Sequence, residues 1–132
     1  MTGLTPYLHF PGTARDALTF YGDVFGGDLE INTFEDFGRS DGPGDAVAHG
    51  MLNGPVTLFA ADAGPQDAPL GLQGIMFSLL GTASPEVLSH WFAALAEEGG
   101  TILDPLQQRP WGDFDGQVTD RFGVTWLIGY EG

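Results

Sequence analysis

The sequence has no cysteine and no lysine in its 132 residues. Without cysteine the chain cannot form disulfides, zinc ribbons or a thiol nucleophile. Without lysine it has only four basic side chains, all of them arginine, against eighteen acidic ones, and its formal net charge is −14. A surface of this sign repels phosphate, so we expect neither nucleic acid nor an anionic membrane as a partner.

Long apolar runs and several common catalytic motifs are also missing. No uninterrupted apolar stretch approaches the roughly twenty residues that a membrane-spanning helix requires. The first residues show neither the basic flank nor the apolar core of a signal peptide, which predicts a cytoplasmic location. The motifs G-x-x-x-x-G-K-[ST] and G-x-G-x-x-G are absent from the sequence, which excludes a P-loop and the dinucleotide-binding glycine motif.

What the chain does contain is an internal repeat. Thr13 and Asp16 form a variant of the capping box, and the apolar stripe after them predicts a helix that ends at Gly26-Gly27. Roughly seventy residues later, Ser84-Pro85 predicts the start of a second helix, which ends at Gly99-Gly100. The equal spacing of these signals predicts two copies of one structural unit.

Apolar runs bounded by glycine, proline and asparagine predict four strands in each half of the chain. One strand precedes the helix and three follow it. Asn53-Gly54 in the first half and Gly123 in the second predict tight turns between the last two strands, because these residues tolerate positive φ. The predicted strands are 4–10, 29–34, 46–52 and 56–61, then 75–80, 101–106, 116–120 and 124–130.

This order of elements predicts an α+β protein built from two βαβββ modules. The first module spans about 1–64, a linker about 65–72 and the second module about 73–132. The length and the hydrophobic content of 42% predict a single domain. Two small sheets of this kind can join into one curved surface, and we expect a small ligand in the concave site between the repeats.

Several short motifs follow one another at fixed spacing along nearly the whole chain: Thr5–Gly12, Ala17–Tyr21, Val24–Gly27, Trp111-Gly112 and Asp120–Trp126. In these motifs the sequence resembles the PhnB-like branch of the vicinal oxygen chelate superfamily, the glyoxalase/bleomycin resistance/dioxygenase fold. The resemblance implies paired βαβββ modules, a cupped mixed sheet with the helices on its outer face, and a homodimer. It does not fix the activity, because this fold serves lyases, dioxygenases, thiol transferases and drug-binding proteins.

The resemblance also implies where a catalytic divalent metal would bind. Its four ligand positions fall on Pro6, near Gly74, on Leu127 and near His49, and only the last of these offers a donor. Independently of that alignment, 74–80 contains no histidine, aspartate or glutamate, and neither does 124–130. The second module therefore cannot supply its share of an ordinary coordination shell. We predict no cofactor and no complete metal site, with His49 and a loop acid as the alternative route to a metal.

Two residues of the first half are predicted to bind the ligand. His49 and Met51 lie on one face of a predicted strand, and histidine serves readily as a general base or a hydrogen-bonding group near neutral pH. His9 is predicted either to be a hydrogen-bonded core residue or to form half of a metal site with His49. His90 is expected on the surface of the second helix.

Four residues of the second half complete the predicted ligand-binding set. Trp111 and Phe114 lie in a segment with loop composition, where a large ring favours either a pocket wall or a dimer contact. Arg109 is predicted either to anchor a carboxylate or phosphate of the ligand or to pair with a neighbouring acid. Trp126 shares a strand face with apolar neighbours and is predicted to be core or pocket floor.

Two functions remain open from the sequence. The first is a small-molecule-binding protein without a complete metal site, a dimeric cup whose aromatic walls hold a small organic molecule. The second is a metal-dependent lyase, isomerase or dioxygenase-like enzyme that acts on a small oxygen-rich substrate. The missing metal donors, together with the retained aromatic residues, favour the first.

Overall fold

The computed structural model describes residues 3–64 and 71–132, and the chain divides into two compact units, Met1–Leu70 and Gly71–Gly132. Each unit has one helix and one four-stranded mixed sheet, in the order strand, helix, three strands. The predicted α+β class and the two βαβββ modules are therefore confirmed. No helix within these two ranges is long and apolar enough to cross a membrane. Most of the predicted linker lies outside the described residues, so the assignment of a single domain stays a prediction.

The first unit contains the first four strands and the first helix. These elements are β1 (Tyr7–Phe10), α1 (Ala14–Phe25), β2 (Asp28–Thr33), β3 (Val47–Asn53) and β4 (Leu58–Asp62). The sheet order is β1-β4-β3-β2. β1 and β4 are parallel, while β4 with β3 and β3 with β2 are antiparallel pairs.

The second unit repeats this topology element for element. Its elements are β5 (Phe77–Leu80), α2 (Pro85–Leu95), β6 (Thr101–Gln108), β7 (Phe114–Thr119) and β8 (Thr125–Tyr130). The sheet order is β5-β8-β7-β6, and β5 is parallel to β8. The internal repeat predicted from the helix signals is thus a repeat of strand pairing as well.

The N-terminus of α1 is capped by a strand residue. The Thr13 side chain makes no capping hydrogen bond, so the capping box predicted from Thr13 and Asp16 is wrong. Instead, one carboxylate oxygen of Asp62 accepts a hydrogen bond from the Ala14 N–H at 2.9 Å, and the other accepts one from the Val47 N–H at 2.9 Å. A carboxylate is also favoured at this end of a helix by the helix dipole. One side chain thereby fixes the starts of α1 and β3 to the end of β4.

The connection between β3 and β4 also differs from the prediction. β3 ends at Asn53 and β4 begins at Leu58, so the turn is longer than two residues. Neither Asn53 nor Gly54 has a positive φ, which contradicts the turn type predicted from them. A Cβ atom on Gly54 would lie 2.8 Å from the Cα of Gly27, just beyond α1. Glycine is required here by the close approach of two backbone segments.

α2 begins as predicted and ends earlier than predicted. Ser84 Oγ accepts a hydrogen bond from the Val87 N–H at 3.2 Å, and proline follows as the first helical residue. The last helical residue is Leu95. A turn then continues to the predicted glycine stop, with φ of 52° at Glu98 and 102° at Gly99. The glycine pair therefore marks the return to β6 and not the end of the helix.

Each helix packs on its own sheet. α1 lies on β3, where a Cβ atom on Gly50 would collide with the Leu18 side chain. α2 packs on β7 and β8, where Val118, Trp126 and Ile128 are buried. Interiors packed this closely respond to the addition of a single methyl group.

A buried aspartate fixes the last turn of the second unit. Asp120 is 3% exposed, and its Oδ1 accepts hydrogen bonds from the Phe122 and Val124 N–H groups. Its Oδ2 accepts a hydrogen bond from Trp126 Nε1 at 2.9 Å. Gly123 has a φ of 90°, which confirms the left-handed glycine predicted for this hairpin. Burial of the carboxylate is tolerated because these donors replace its lost hydration.

Replacing Gly50 by alanine tests the contact between α1 and β3. We expect Gly50→Ala to lower the free energy of unfolding by about 1–3 kcal/mol, because the new methyl group must displace Leu18. Gly22→Ala is the matched control, since a Cβ there makes an ordinary contact of 3.8 Å with Leu52. It should raise stability by about 0.5–1 kcal/mol through better helix propensity. Urea denaturation measures both, and equal stabilities would contradict the close contact.

Candidate functional site

The face of the first sheet opposite α1 carries a group of aromatic and imidazole rings. Successive side chains of a strand point to opposite faces of the sheet. Residues that precede or follow those buried under α1 therefore point away from the helix. The register pairs Tyr7 with Phe59 and Phe59 with Met51, which places them on the same face. We call the following five residues the His49 face: Tyr7 and His9 of β1, His49 and Met51 of β3, and Phe59 of β4.

The centre of the His49 face is a hydrogen bond between two side chains. The Tyr7 hydroxyl lies 2.9 Å from His49 Nδ1, and the two rings are stacked with centroids 5.5 Å apart. The Phe59 ring is edge-on to Tyr7 at 6.1 Å and tilted against His49 at 5.6 Å. The bond at Nδ1 orients the imidazole, whose second nitrogen is Nε2. The face can therefore combine ring stacking with directional hydrogen bonds.

The sequence identified only part of this face. The predicted ligand-binding residues His49 and Met51 lie on it, and His9 lies 5.3 Å from Tyr7, ring to ring. Tyr7 and Phe59 were missed. The available signal for Tyr7 was its position two residues before His9 in a predicted strand, which places both side chains on one face.

The donors present do not fit the divalent metal that the fold family implies. Such a site needs about three or four protein ligands. Pro6, Gly74 and Leu127 offer no side-chain donor at the implied positions, and β5 and β8 contain no histidine or acid. In the described ranges no group of three or more His, Cys, Asp or Glu is placed to hold an ion. No chemical step through a metal can be derived from these residues.

The second unit contains an open cleft of about 670 Å³. Two predicted ligand-binding residues, Trp111 and Phe114, line it, together with Leu80 and Tyr130. Trp111 is 68% exposed, and the Phe114 and Tyr130 rings stack with centroids 5.0 Å apart. Phe114 is the first residue of β7 and not a loop residue, so the loop is shorter than its composition predicted. We call this cavity the Trp111 cleft.

Arg109 fixes the turn at the tip of the β6–β7 hairpin. Its Nη2 donates to Asp104 Oδ2 at 2.6 Å, and its Nε donates to Asp115 Oδ1 at 2.8 Å. Both hydrogen bonds raise the pKa of the guanidinium, and the one to Asp104 has the larger effect. The Gly112 N–H donates to the Arg109 carbonyl across the turn at 2.9 Å, with Trp111 between them. Arg109 is thus paired with neighbouring acids, one of the two alternatives predicted for it.

Trp126, the remaining residue of the predicted ligand-binding set, lies in the core. It is 1% exposed, donates to Asp120 and packs edge-on against Phe77 at 5.5 Å. A side chain buried to this extent offers almost no surface to a ligand. The reason is its strand face, since Trp126 pairs with the buried Val118 in the two strands on which α2 packs.

Comparison with known proteins identifies the family. The family model of the Glyoxalase/Bleomycin resistance protein/Dioxygenase superfamily matches residues 4–128. The chain belongs to this superfamily. Protein YjdN of Escherichia coli (strain K12) is 31% identical over 141 aligned residues, which cover 95% of this chain and 92% of the relative.

Two solved structures share the fold along their whole length. Protein PA1353 from Pseudomonas aeruginosa is 35% identical with a TM-score of 0.80, and the match covers 99% of this chain and 98% of that one. A PhnB protein from Bacillus cereus is 24% identical with a TM-score of 0.76 and coverage of 98% and 99%, a likeness that shows the fold alone. The resemblance to PhnB-like proteins found in the sequence motifs is confirmed.

Removing the Arg109 guanidinium tests its role in holding the turn at the tip of the β6–β7 hairpin. In Arg109→Met two carboxylates lose their shared partner, so we expect the turn to open more often and amide hydrogen exchange at Gly112 to become several times faster. Arg121→Met is the matched control, because it removes an exposed ion pair elsewhere in the same unit. Exchange at Gly112 should not change in the control. Equal rates in both variants would show that the turn does not depend on Arg109.

Proposed function

We propose that the protein binds a small organic molecule on the His49 face, without a complete protein metal site. The hydrogen bond between the Tyr7 hydroxyl and His49 Nδ1 carries this proposal. It holds two polar groups in place among aromatic rings, on the sheet face that α1 does not cover. A few placed polar groups within an aromatic surface are typical of small-molecule sites.

The composition of the His49 face favours a neutral aromatic ligand with a hydrogen-bonding oxygen. Tyr7 and Phe59 provide ring surfaces for stacking, and Met51 provides a flexible apolar side chain that adapts to different shapes. The phenol and the imidazole provide the donor and the acceptor. None of the five residues carries a fixed positive charge, and the net charge of −14 disfavours an anion.

A neutral aromatic probe tests binding at the His49 face directly. 4-Hydroxyacetophenone combines a ring with hydrogen-bonding oxygens, and the three histidines of the chain give three separate Cε1 proton signals in NMR. We expect the probe to shift the signals of His49 and His9 and to leave His90, on α2, in place. Tyr7→Phe should weaken binding by about threefold to tenfold. Phe59→Ala should weaken it by about tenfold.

The matched control for Phe59→Ala is Phe37→Ala. Phe37 is an exposed ring of the same unit outside the His49 face, so its removal should leave binding unchanged. The proposal is wrong if the probe shifts all three histidine signals alike or none of them. It is also wrong if the two phenylalanine variants bind equally.

The metal-dependent lyase, isomerase or dioxygenase-like enzyme is the alternative that the sequence left open. It requires His49 and a loop acid to recruit an ion, and within 3–64 and 71–132 no third donor completes such a group. We expect elemental analysis of protein purified without a histidine tag to find no stoichiometric zinc, nickel, manganese or iron. A stoichiometric amount of any of these metals would favour the enzyme.

The predicted homodimer and the predicted cytoplasmic location are separate expectations. The first comes from the resemblance to the family, and the second is an expectation from the sequence alone. Binding on the His49 face does not depend on either, because its five residues belong to one unit of one chain.

A further inference from the structure

The Trp111 cleft combines apolar walls with acidic groups. The apolar surface comes from four side chains, those of Leu80, Trp111, Phe114 and Tyr130. Three carboxylates also line the cleft, those of Asp113, Asp115 and Glu131. Among the described residues that line it there is no arginine and no histidine. An exposed tryptophan in a cleft of this size marks a surface that a ligand can cover.

Two of the three carboxylates form no ion pair within the described residues. Asp115 forms an ion pair with Arg109 at 2.8 Å. Asp113 accepts a hydrogen bond of 3.4 Å from the Gly132 N–H. Neither Asp113 nor Glu131 forms an ion pair with a residue in 3–64 or 71–132. A ligand in the cleft therefore meets two negative charges without a basic partner.

The N-terminus of α2 does not offset the negative charge of the Trp111 cleft. Pro85 and Gly81 line the cleft, and a free helix N-terminus would favour an anion. Here the side chain of Ser84 caps the helix, and Glu86 lies in its first turn. The acids around the cleft therefore outweigh the partial positive charge of the helix end.

From this combination we infer that the Trp111 cleft binds a small organic cation, an amine attached to an aromatic or aliphatic body. The faces of the aromatic rings attract a cation, and tryptophan does so most strongly. The apolar walls bury the body of the ligand, and Asp113 and Glu131 balance its charge. The cleft shares no residue with the His49 face, so each of the two proposals can fail without the other.

Three probes of similar shape and different charge test this inference on the full chain. They are phenethylamine, 2-phenylethanol and 3-phenylpropanoate, which are a cation, a neutral molecule and an anion at pH 7. We expect calorimetry to show phenethylamine binding about tenfold more tightly than the other two. Trp111 is the exposed tryptophan of the three in the chain, so its fluorescence should change on binding.

Variants then separate ring contacts from charge. Trp111→Ala should weaken phenethylamine binding by about tenfold, and Trp111→Phe should weaken it less because a ring remains. The double variant Asp113→Asn with Glu131→Gln should also weaken it by about tenfold. Its matched control is Asp23→Asn with Asp28→Asn, two exposed acids of the other unit, which removes the same net charge and should have little effect.

Several results would overturn the inference. Equal binding of the three probes, tighter binding of the anion, or no binding of phenethylamine at millimolar concentration would each do so. Equal loss of affinity in both double variants would show an effect of net charge alone. If Trp111→Ala changes the oligomeric state and leaves amine binding unchanged, the exposed ring is a contact between copies of the chain and not the wall of a ligand site.

Discussion

Each unit has a single helix for a four-stranded sheet, and this ratio decides which side chains the helix buries and which it leaves uncovered. α1 and α2 are twelve and eleven residues long, and each packs on one face of its sheet. Because successive side chains of a strand point to opposite faces, the residues buried by the helix determine which residues it leaves uncovered. In β1 the burial of Leu8 and Phe10 places Tyr7 on the opposite face, where it meets His49. The core and the candidate site are thus set by the same alternation.

Two aspartates stabilise the packing of helix and sheet, because each accepts hydrogen bonds from backbone N–H groups at the ends of helices and strands or in a turn between strands. Asp62 accepts the first N–H of α1 and the first N–H of β3. Asp120 accepts two backbone N–H groups of the last hairpin and the indole N–H of Trp126. β3 carries His49 two residues after its bond to Asp62, so the acid that caps the helix also fixes the strand of the candidate site. All eighteen acids contribute to the negative charge of the chain. Asp62 and Asp120 in addition hold parts of the fold together through these hydrogen bonds.

The order of elements could be predicted from local signals, while the contacts within the site could not. Ser84 and Gly123 act on residues close to them in sequence, so their cap and their turn could be recognised from the sequence. Asp62 caps a helix that begins 48 residues earlier, and no local pattern indicates such a partner. Tyr7 meets His49 because β1 pairs with β4 and β4 pairs with β3, a strand order that alternation along single strands does not reveal. The sequence showed which residue types are present in each strand. It did not show which strands pair with one another.

Charge narrows the ligands that either surface can accept. Each arginine donates to an acceptor within its own unit: Arg15 to the Asp45 carbonyl, Arg39 to Asp41, Arg109 to Asp104 and Asp115, and Arg121 to Glu98. An anionic ligand could reach a guanidinium only by displacing one of these bonds, and in three of the four cases this would leave a carboxylate unpaired. The implied metal positions offer no substitute, because three of them carry proline, glycine and leucine. Neutral and cationic molecules meet neither obstacle, and the two proposed ligands belong to these classes. The shortage of basic residues therefore agrees with both proposals, in which aromatic surfaces are the main means of recognition.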